Sequence, residues 1–569
     1  MNFKRLFVTI RGFFVCLPLL FSFENPNNFR TSPLSLVDSS QIKKGQSLFA
    51  QQCSACHNFL MDGIGPQLGG LSSVVKKEWM YSFIKNPQSK IASGDKRAVA
   101  LFKKYNVYMP SFAHLSATEI HALIEFINLQ PKPKPAKVLV GVPEITNPIP
   151  QKIEMSDLVA NLELVTEIPF SSDQSLHTRI AKMDFHPETK DNFILDLRGK
   201  LYQLKDKQPV LYLDMAQKMP KFINEPGLAT GFGSFAFHPD FKNNGLLYTT
   251  HTESPLADKA DFAYSDSVKV TLQWVVSEWK TNDPFAVPFN GEPRELFRVN
   301  MVSPIHGVQE ITFNPLSKKG DEDYGLLYIG IGDGGSVEKG YQYLAHNPKS
   351  IWGTIVRIDP AGHNSANGRY GIPASNSFSK TDNLGEIYAY GFRNPHRITW
   401  TKSGNMLATN IGQKNIESLN LILPGHDYGW PIREGTFLLF PAGDINKVYA
   451  LPADEQKFKI SYPVAQFDHD EGNAISGGFE YWGNDLPEFK GKYLFGEIVK
   501  GRLFYVDVAD LKLGKQATIK EWQVAYKGKK TTLEALTHDK RIDLRLGRDH
   551  TGELYIFTKP DGKVYKLVK

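Results

Sequence analysis

Cysteine is nearly absent from the chain, with three residues in 569. That excludes a disulfide framework, which small exported folds build from many cysteines, so the protein must be held by core packing. Long apolar runs are also missing. Beyond residue 23 no stretch is long and apolar enough to cross a bilayer, which takes about 20 residues. A charge excess is lacking too: 66 Lys and Arg face 60 Asp and Glu, for a net charge of +6. Residues 1–23 hold three positive charges and no negative ones, so their removal turns +6 into +3. A balance that small does not argue for nucleic acid as a partner. Hydrophobic content of 41% and charged content of 22% are those of a globular protein, and the length suggests more than one domain.

The first residues read MNFKRLFVTIRGFFVCLPLLFSFENP. Lys4, Arg5 and Arg11 precede an apolar run that ends near Phe23. This is the pattern of a secretory signal peptide over 1–23, which predicts a periplasmic or secreted protein. An uncleaved membrane anchor is the alternative, and only then is a membrane expected as a partner. Cys16 lies inside the apolar run behind Val15, which is not the small residue a lipoprotein signal wants. The exported chain then keeps only Cys53 and Cys56.

Those two cysteines stand in FAQQCSACHNF, with His57 directly behind. C-x-x-C-H is the attachment signature of a c-type haem. Two thiols add to the two porphyrin vinyl groups, and the adjacent imidazole reaches the iron from one face. Ile42, Leu48 and Phe49 give the preceding segment the pattern of an amphipathic helix. A sixth ligand is expected at Met109, in the Pro-constrained loop NVYMPSF, with His114 and His121 as competitors. Met and His ligation raises the haem potential and suits electron transfer. Ser116 and Glu119 form an S-x-x-E capping box before the helical stripe Ile120, Leu123, Ile124 and Ile127. A thioredoxin-like pair or half a zinc site is the other use of such cysteines, but no second pair and no βαβ context accompany them. Residues 38–130, including GIGPQLGGL at 63–71, resemble a small all-α class I cytochrome c domain, which implies a covalent haem c and one-electron chemistry.

Six prolines fall between residues 131 and 150, the composition of an extended spacer. A linker is therefore expected over 131–159. From 160 to 569 the texture changes. Units such as IAKMDFHPETKDNFILDLRGKLYQL, FGSFAFHPDFKNNGLLYTTH and LRLGRDHTGELYIFTKPDGKVYKLV repeat an apolar strand, a turn rich in Pro, Asp, Asn or Gly, and a second strand. Six such units read as a mainly β six-bladed propeller, whose ring would close by pairing an N-terminal strand with the last blade. A β-sandwich or several small β domains is the alternative.

The phrases AFHPDFKNNGLLYTTH, LLYIGIGDGG, IYAYGFRNPHRITW, NIGQKNIESLNLILPGHDYGWP and ISGGFEYWGNDLPEFKGKYLFGE resemble the soluble glucose/sorbosone dehydrogenases. The resemblance implies a propeller that uses pyrroloquinoline quinone (PQQ) and calcium to oxidise a sugar or related alcohol. It implies His306, in PIHGVQEITFNP, as catalytic base, a role histidine can fill near neutral pH. It implies Arg393 and Asn394 as cofactor-binding residues, and Gly412 and Gln413 as the place where backbone carbonyls hold calcium. Lys500, Arg502 and Arg545 are looser candidates for the cofactor's carboxylates, and Asp333 in GIGDGG reads as a turn cap. Ala229 stands where the family often has Gln or Glu, and Ile305 where it often has a polar residue. The insert LADKADFAYSDSVKVTLQWV is expected to overhang the channel mouth. The combined expectation is a quinohaemoprotein dehydrogenase that passes electrons to its own haem and on to a redox partner. A calcium-dependent lactonase-like hydrolase, or a binding propeller carrying an electron-relay cytochrome, would be the rival readings.

Overall fold

A computed structural model describes residues 39–569 except Ala55, Asn106, Gln174, Ser175 and Leu228. The expected signal segment, with Cys16, lies outside the described residues. Among the described residues, no helix is long and apolar enough to cross a membrane.

The N-terminal part is helical. Helix Ser39–Leu48 runs into a π-helical turn at Phe49–Cys53, a geometry frequent at functional sites. Three shorter helices follow, and helix Ala117–Asn128 ends the bundle. The capping box forms as expected: Ser116 Oγ accepts from the Glu119 amide at 3.3 Å, and Glu119 Oε2 accepts from the Ser116 amide at 2.9 Å. The stripe Ile120, Leu123, Ile124 and Ile127 packs against Leu48, Phe49, Cys53 and Met80 in one apolar core.

The rest is a β-propeller of six blades. Their inner strands are Ile180–Phe185, Phe232–Phe237, Glu310–Phe313, Pro395–Trp400, Ile475–Glu480 and Arg545–Arg548. Each blade continues outward through antiparallel neighbours. The ring closes as the repeats require: strand Glu154–Glu167 pairs antiparallel with the last strand, Lys563–Val568, and parallel with Lys520–Tyr526 of the fifth blade. Every junction between adjacent blades holds its own apolar cluster. Burial of this kind stabilises at about 25 cal/mol per Å², which explains how the propeller dispenses with disulfides.

The proline-rich segment is not a free spacer. Lys137 bridges to Gly443, and Glu144–Ile145 pairs antiparallel with Val448–Tyr449. That pairing completes a small sheet with Phe437–Leu439 and Arg433–Glu434. The Lys447 ammonium meets Glu144 at 2.7 Å. The strand that enters the ring begins at Glu154, inside the stretch expected as linker.

Candidate functional site

Cys53 is buried and Cys56 half-buried, and the two are not joined in a disulfide. The His57 Nδ1–H donates to the Pro66 carbonyl at 2.8 Å. That hydrogen bond fixes the ring and leaves Nε2 for a metal, the arrangement usual for ligating histidines. Met109 is half-buried against the same apolar core as Cys53, whereas His114 and His121 are exposed. This donor set fits a covalent haem between His57 and Met109.

The propeller residues singled out above converge for a topological reason. All blades run in the same sense, so residues that precede an inner strand, or follow the second strand of a blade, share one end of the channel. Arg179, Thr230, His306, Arg393 and Asp543 come just before inner strands. Asp333, Gln413 and Lys559 follow second strands.

At that end His306 is buried and has φ +52°, a left-handed conformation rare for a side-chain-bearing residue and frequent at functional sites. Its Nδ1–H donates to Asp333 Oδ1 at 2.7 Å. Asp333 Oδ2 accepts from the Trp430 indole at 3.0 Å, and Oδ1 also accepts from the Gly335 amide at 2.8 Å. Burial works to raise the Asp333 carboxyl, but His306, Arg393 and the Gly335 amide outweigh it and hold it below the usual carboxylate range. Asp333 is therefore an anion that orients the imidazole and leaves Nε2 for chemistry. Gly307 is required by close approach: a Cβ there would lie 2.0 Å from Trp274 Nε1.

Arg393 donates through Nε to Gln413 Oε1 at 2.9 Å and through Nη2 to Glu338 Oε1 at 2.7 Å, with its guanidinium over the Trp430 ring. Nη1 makes only a 3.5 Å contact to the Ile411 carbonyl. Asn394 is buried beside it, its amide donating to Asn410 Oδ1. The Gln413–Ile416 loop is held by Glu434 Oε1, which accepts four successive backbone amides at 2.7 to 3.0 Å. Among the described residues, no group of three or more His, Cys, Asp or Glu side chains is placed to hold a metal ion. A calcium at Gly412–Gln413 would rest on backbone carbonyls and the cofactor's own oxygens.

The glucose/sorbosone dehydrogenase family model matches residues 179–566, and the cytochrome c model matches 42–130. The chain belongs to the glucose/sorbosone dehydrogenase family. It is 27% identical over 343 residues to the HIPL1 protein of Arabidopsis thaliana, covering 52% of this chain and 46% of that protein. It is 26% identical over 230 residues to quinoprotein glucose dehydrogenase B of Acinetobacter calcoaceticus, covering 38% of this chain and 42% of that one. The chain thus spans about half the length of the curated relatives it matches. A solved structure titled as a glucose dehydrogenase superposes with a TM-score of 0.50 at 18% identity, covering 72% of this chain and 99% of its own, which shows the fold.

Members of this family that carry an anionic cofactor need cationic walls, and this chain has them. Arg179, Arg397, Arg545 and Lys559 are all buried, and the Nε atoms of the three arginines have no hydrogen-bond partner. Burial, aided by the charge of Arg545, pulls the Lys559 ammonium down to about 7. Burial likewise lowers Arg545 to about 10. Two of these cations are paired, Arg179 with Glu225 at 2.8 Å and Arg397 with Glu310 at 2.5 Å, whereas Arg545 and Lys559 face Asp543, which they share with Arg541. The surplus of positive charge at Arg545 and Lys559 fits an anion, because paired charge is what makes such burial tolerable. Of the looser candidates only Arg545 joins the cluster; Arg502 is taken by Glu471 and Glu521, and Lys500 is exposed.

Sequence reasoning missed several of these residues. Asp333 read as a turn cap, and it does cap the turn, but the same oxygen holds His306. Lys559 sat unremarked in a turn signal, FTKPDG. The insert does reach the site rim: Tyr264 stacks on Trp352, and its hydroxyl lies 3.6 Å from where a Cβ of Gly334 would sit.

Proposed function

We propose that the protein is an exported quinohaemoprotein dehydrogenase that oxidises a CH–OH group of a sugar or related alcohol and delivers the electrons to a haem on the same chain. In this reading residues 1–23 are the export signal, 38–130 the cytochrome c domain, 131–159 the connection and 160–569 the dehydrogenase. The observation that carries it is the placement at one end of the channel of an Asp333-oriented His306 and of buried Arg545 and Lys559, which share a single carboxylate, Asp543, with Arg541. When bound, PQQ with calcium supplies a two-electron acceptor. Arg393, Asn394, Arg545 and Lys559 would hold its carboxylates. His306 Nε2 takes the hydroxyl proton of the substrate. Asp333 stabilises the imidazolium that forms and keeps Nε2 aimed at the substrate, as the carboxylate of a catalytic triad does. Ala229 deprives the pocket of a family side chain, but Gln309 donates its amide to the Ala229 carbonyl at 2.9 Å and supplies an amide at the same loop. Cys53, Cys56, His57 and Met109 would hold the haem, which would supply a one-electron acceptor from which an external redox partner draws.

The test is dye-linked oxidation of a panel of aldoses, alditols and simple alcohols by protein loaded with PQQ and calcium. Turnover that requires PQQ and disappears in His306→Ala supports the reading. Failure to bind PQQ and absence of turnover across the panel would leave a binding propeller attached to a cytochrome.

A further inference from the structure

The cytochrome and the dehydrogenase face are joined by one directed chain of hydrogen bonds. Arg393 Nε donates to Gln413 Oε1 at 2.9 Å. Gln413 Nε2 donates to Asn446 Oδ1 at 3.2 Å. Asn446 Nδ2 donates to the backbone carbonyl of Asp62 at 2.9 Å. The polarity of this chain is fixed at both ends, because a guanidinium can only donate and a carbonyl can only accept. Asp62 sits in the loop whose Gly65 amide donates to the Cys56 carbonyl at 2.9 Å, so the chain ends at the haem attachment site. Two further observations locate the same seat. Met61 packs into the apolar cluster of Trp430 and Val448, and Lys414 reaches the Gly63 carbonyl at 3.4 Å while lying over the Tyr105 ring at 4.4 Å. Asn446 itself stands two residues before strand Val448–Tyr449, the strand to which Glu144–Ile145 of the connecting segment is paired.

We propose that Asn446 is a positioning residue that seats the haem-attachment loop of the cytochrome on the dehydrogenase site, so that electrons cross a fixed interface rather than reaching a freely tethered acceptor. This rests on the function proposed above. Oxidation of one CH–OH group removes two electrons and two protons. Iron(III) takes one electron at a time, so each substrate requires two crossings of the seat, with an external one-electron acceptor reoxidising iron(II) between them and both protons released.

Asn446→Asp keeps the shape and the acceptor for Gln413 but replaces the donor to Asp62 by an oxygen. Lys414→Met removes the second contact and serves as an independent variant. In haem-loaded protein without PQQ, hydrogen exchange at amides 61–65 is expected to rise by about tenfold in either variant, the size of effect one lost interdomain hydrogen bond produces. In PQQ-loaded protein mixed once with substrate, the phase of haem reduction is expected to slow by about tenfold relative to the phase of cofactor reduction. A role confined to supporting Gln413 would slow both phases in proportion, and that result would overturn the proposal. So would wild-type exchange at 61–65 in both variants. Should the wild type show no cofactor phase, the dehydrogenase reading fails, while the exchange experiment still decides the seat.

Discussion

Lys559 offers a severe test of the basic cluster. The residue is 3% exposed, and its charged neighbours are Arg545, Arg541 and Arg179 against the single carboxylate of Asp543. Burial first, and Arg545 second, bring its ammonium down to about 7. An ordinary lysine titrates roughly three and a half pH units higher, so carrying the proton in the cofactor-free fold costs about 5 kcal/mol. Between about pH 7 and the ordinary lysine range the unfolded chain binds the proton and the folded one does not, so stability rises with pH across that window. Below about pH 7 the whole penalty is present. Lys559→Met is therefore expected to stabilise the cofactor-free protein by up to about 5 kcal/mol near pH 6 and by little near pH 10. Bound PQQ should flatten the pH dependence of the wild type, because the anion restores the lysine's charge. The substitution should also weaken PQQ binding. Thermal melts across this pH range, with and without PQQ, and calorimetric titration of PQQ provide the assay. A cofactor-free Lys559→Met protein that is less stable than wild type near pH 6, or one that binds PQQ as well as wild type does, would refute the reasoning.

Other outcomes follow from the same geometry. Asp333→Asn should leave the fold intact but lower substrate-dependent haem reduction by roughly 10²–10⁴-fold, because His306 loses its orienting anion; stopped-flow absorbance at the haem bands measures it. Gly307→Ala places a methyl 2.0 Å from Trp274 Nε1 and should cost about 1–3 kcal/mol in urea unfolding. Ser116→Ala removes the N-cap of helix Ala117–Asn128 and should destabilise the cytochrome part by about 1 kcal/mol, read from the change in the haem spectrum as iron ligation is lost in denaturant.

Local features were legible in the sequence and long-range ones were not. The CSACH motif and the Ser116–Glu119 box are complete within a few residues, so their spacing sufficed. The blades were legible because each repeats a strand–turn–strand pattern, and ring closure followed from the need to cover an edge. The connecting segment misled, because its prolines signal an extended chain but say nothing of Val448–Tyr449, some 300 residues on, that pairs with it. Asp333 was hidden because one oxygen serves the turn and His306 together. The Lys559 cluster was hidden because hairpin register sets Lys559 near Arg545 and only closure of the ring adds Arg179 from the first blade. Asn446 lies in no repeat at all, and its importance depends on where the cytochrome rests.

The most direct test of the account is the rate of haem reduction when protein with oxidised haem, loaded with PQQ and calcium, is mixed with a sugar substrate in the absence of any mediator. The account predicts reduction with a first-order rate constant that does not change on dilution of the protein, and that vanishes in His306→Ala. A haem that stays oxidised, or a rate that falls in proportion to protein concentration, would contradict it.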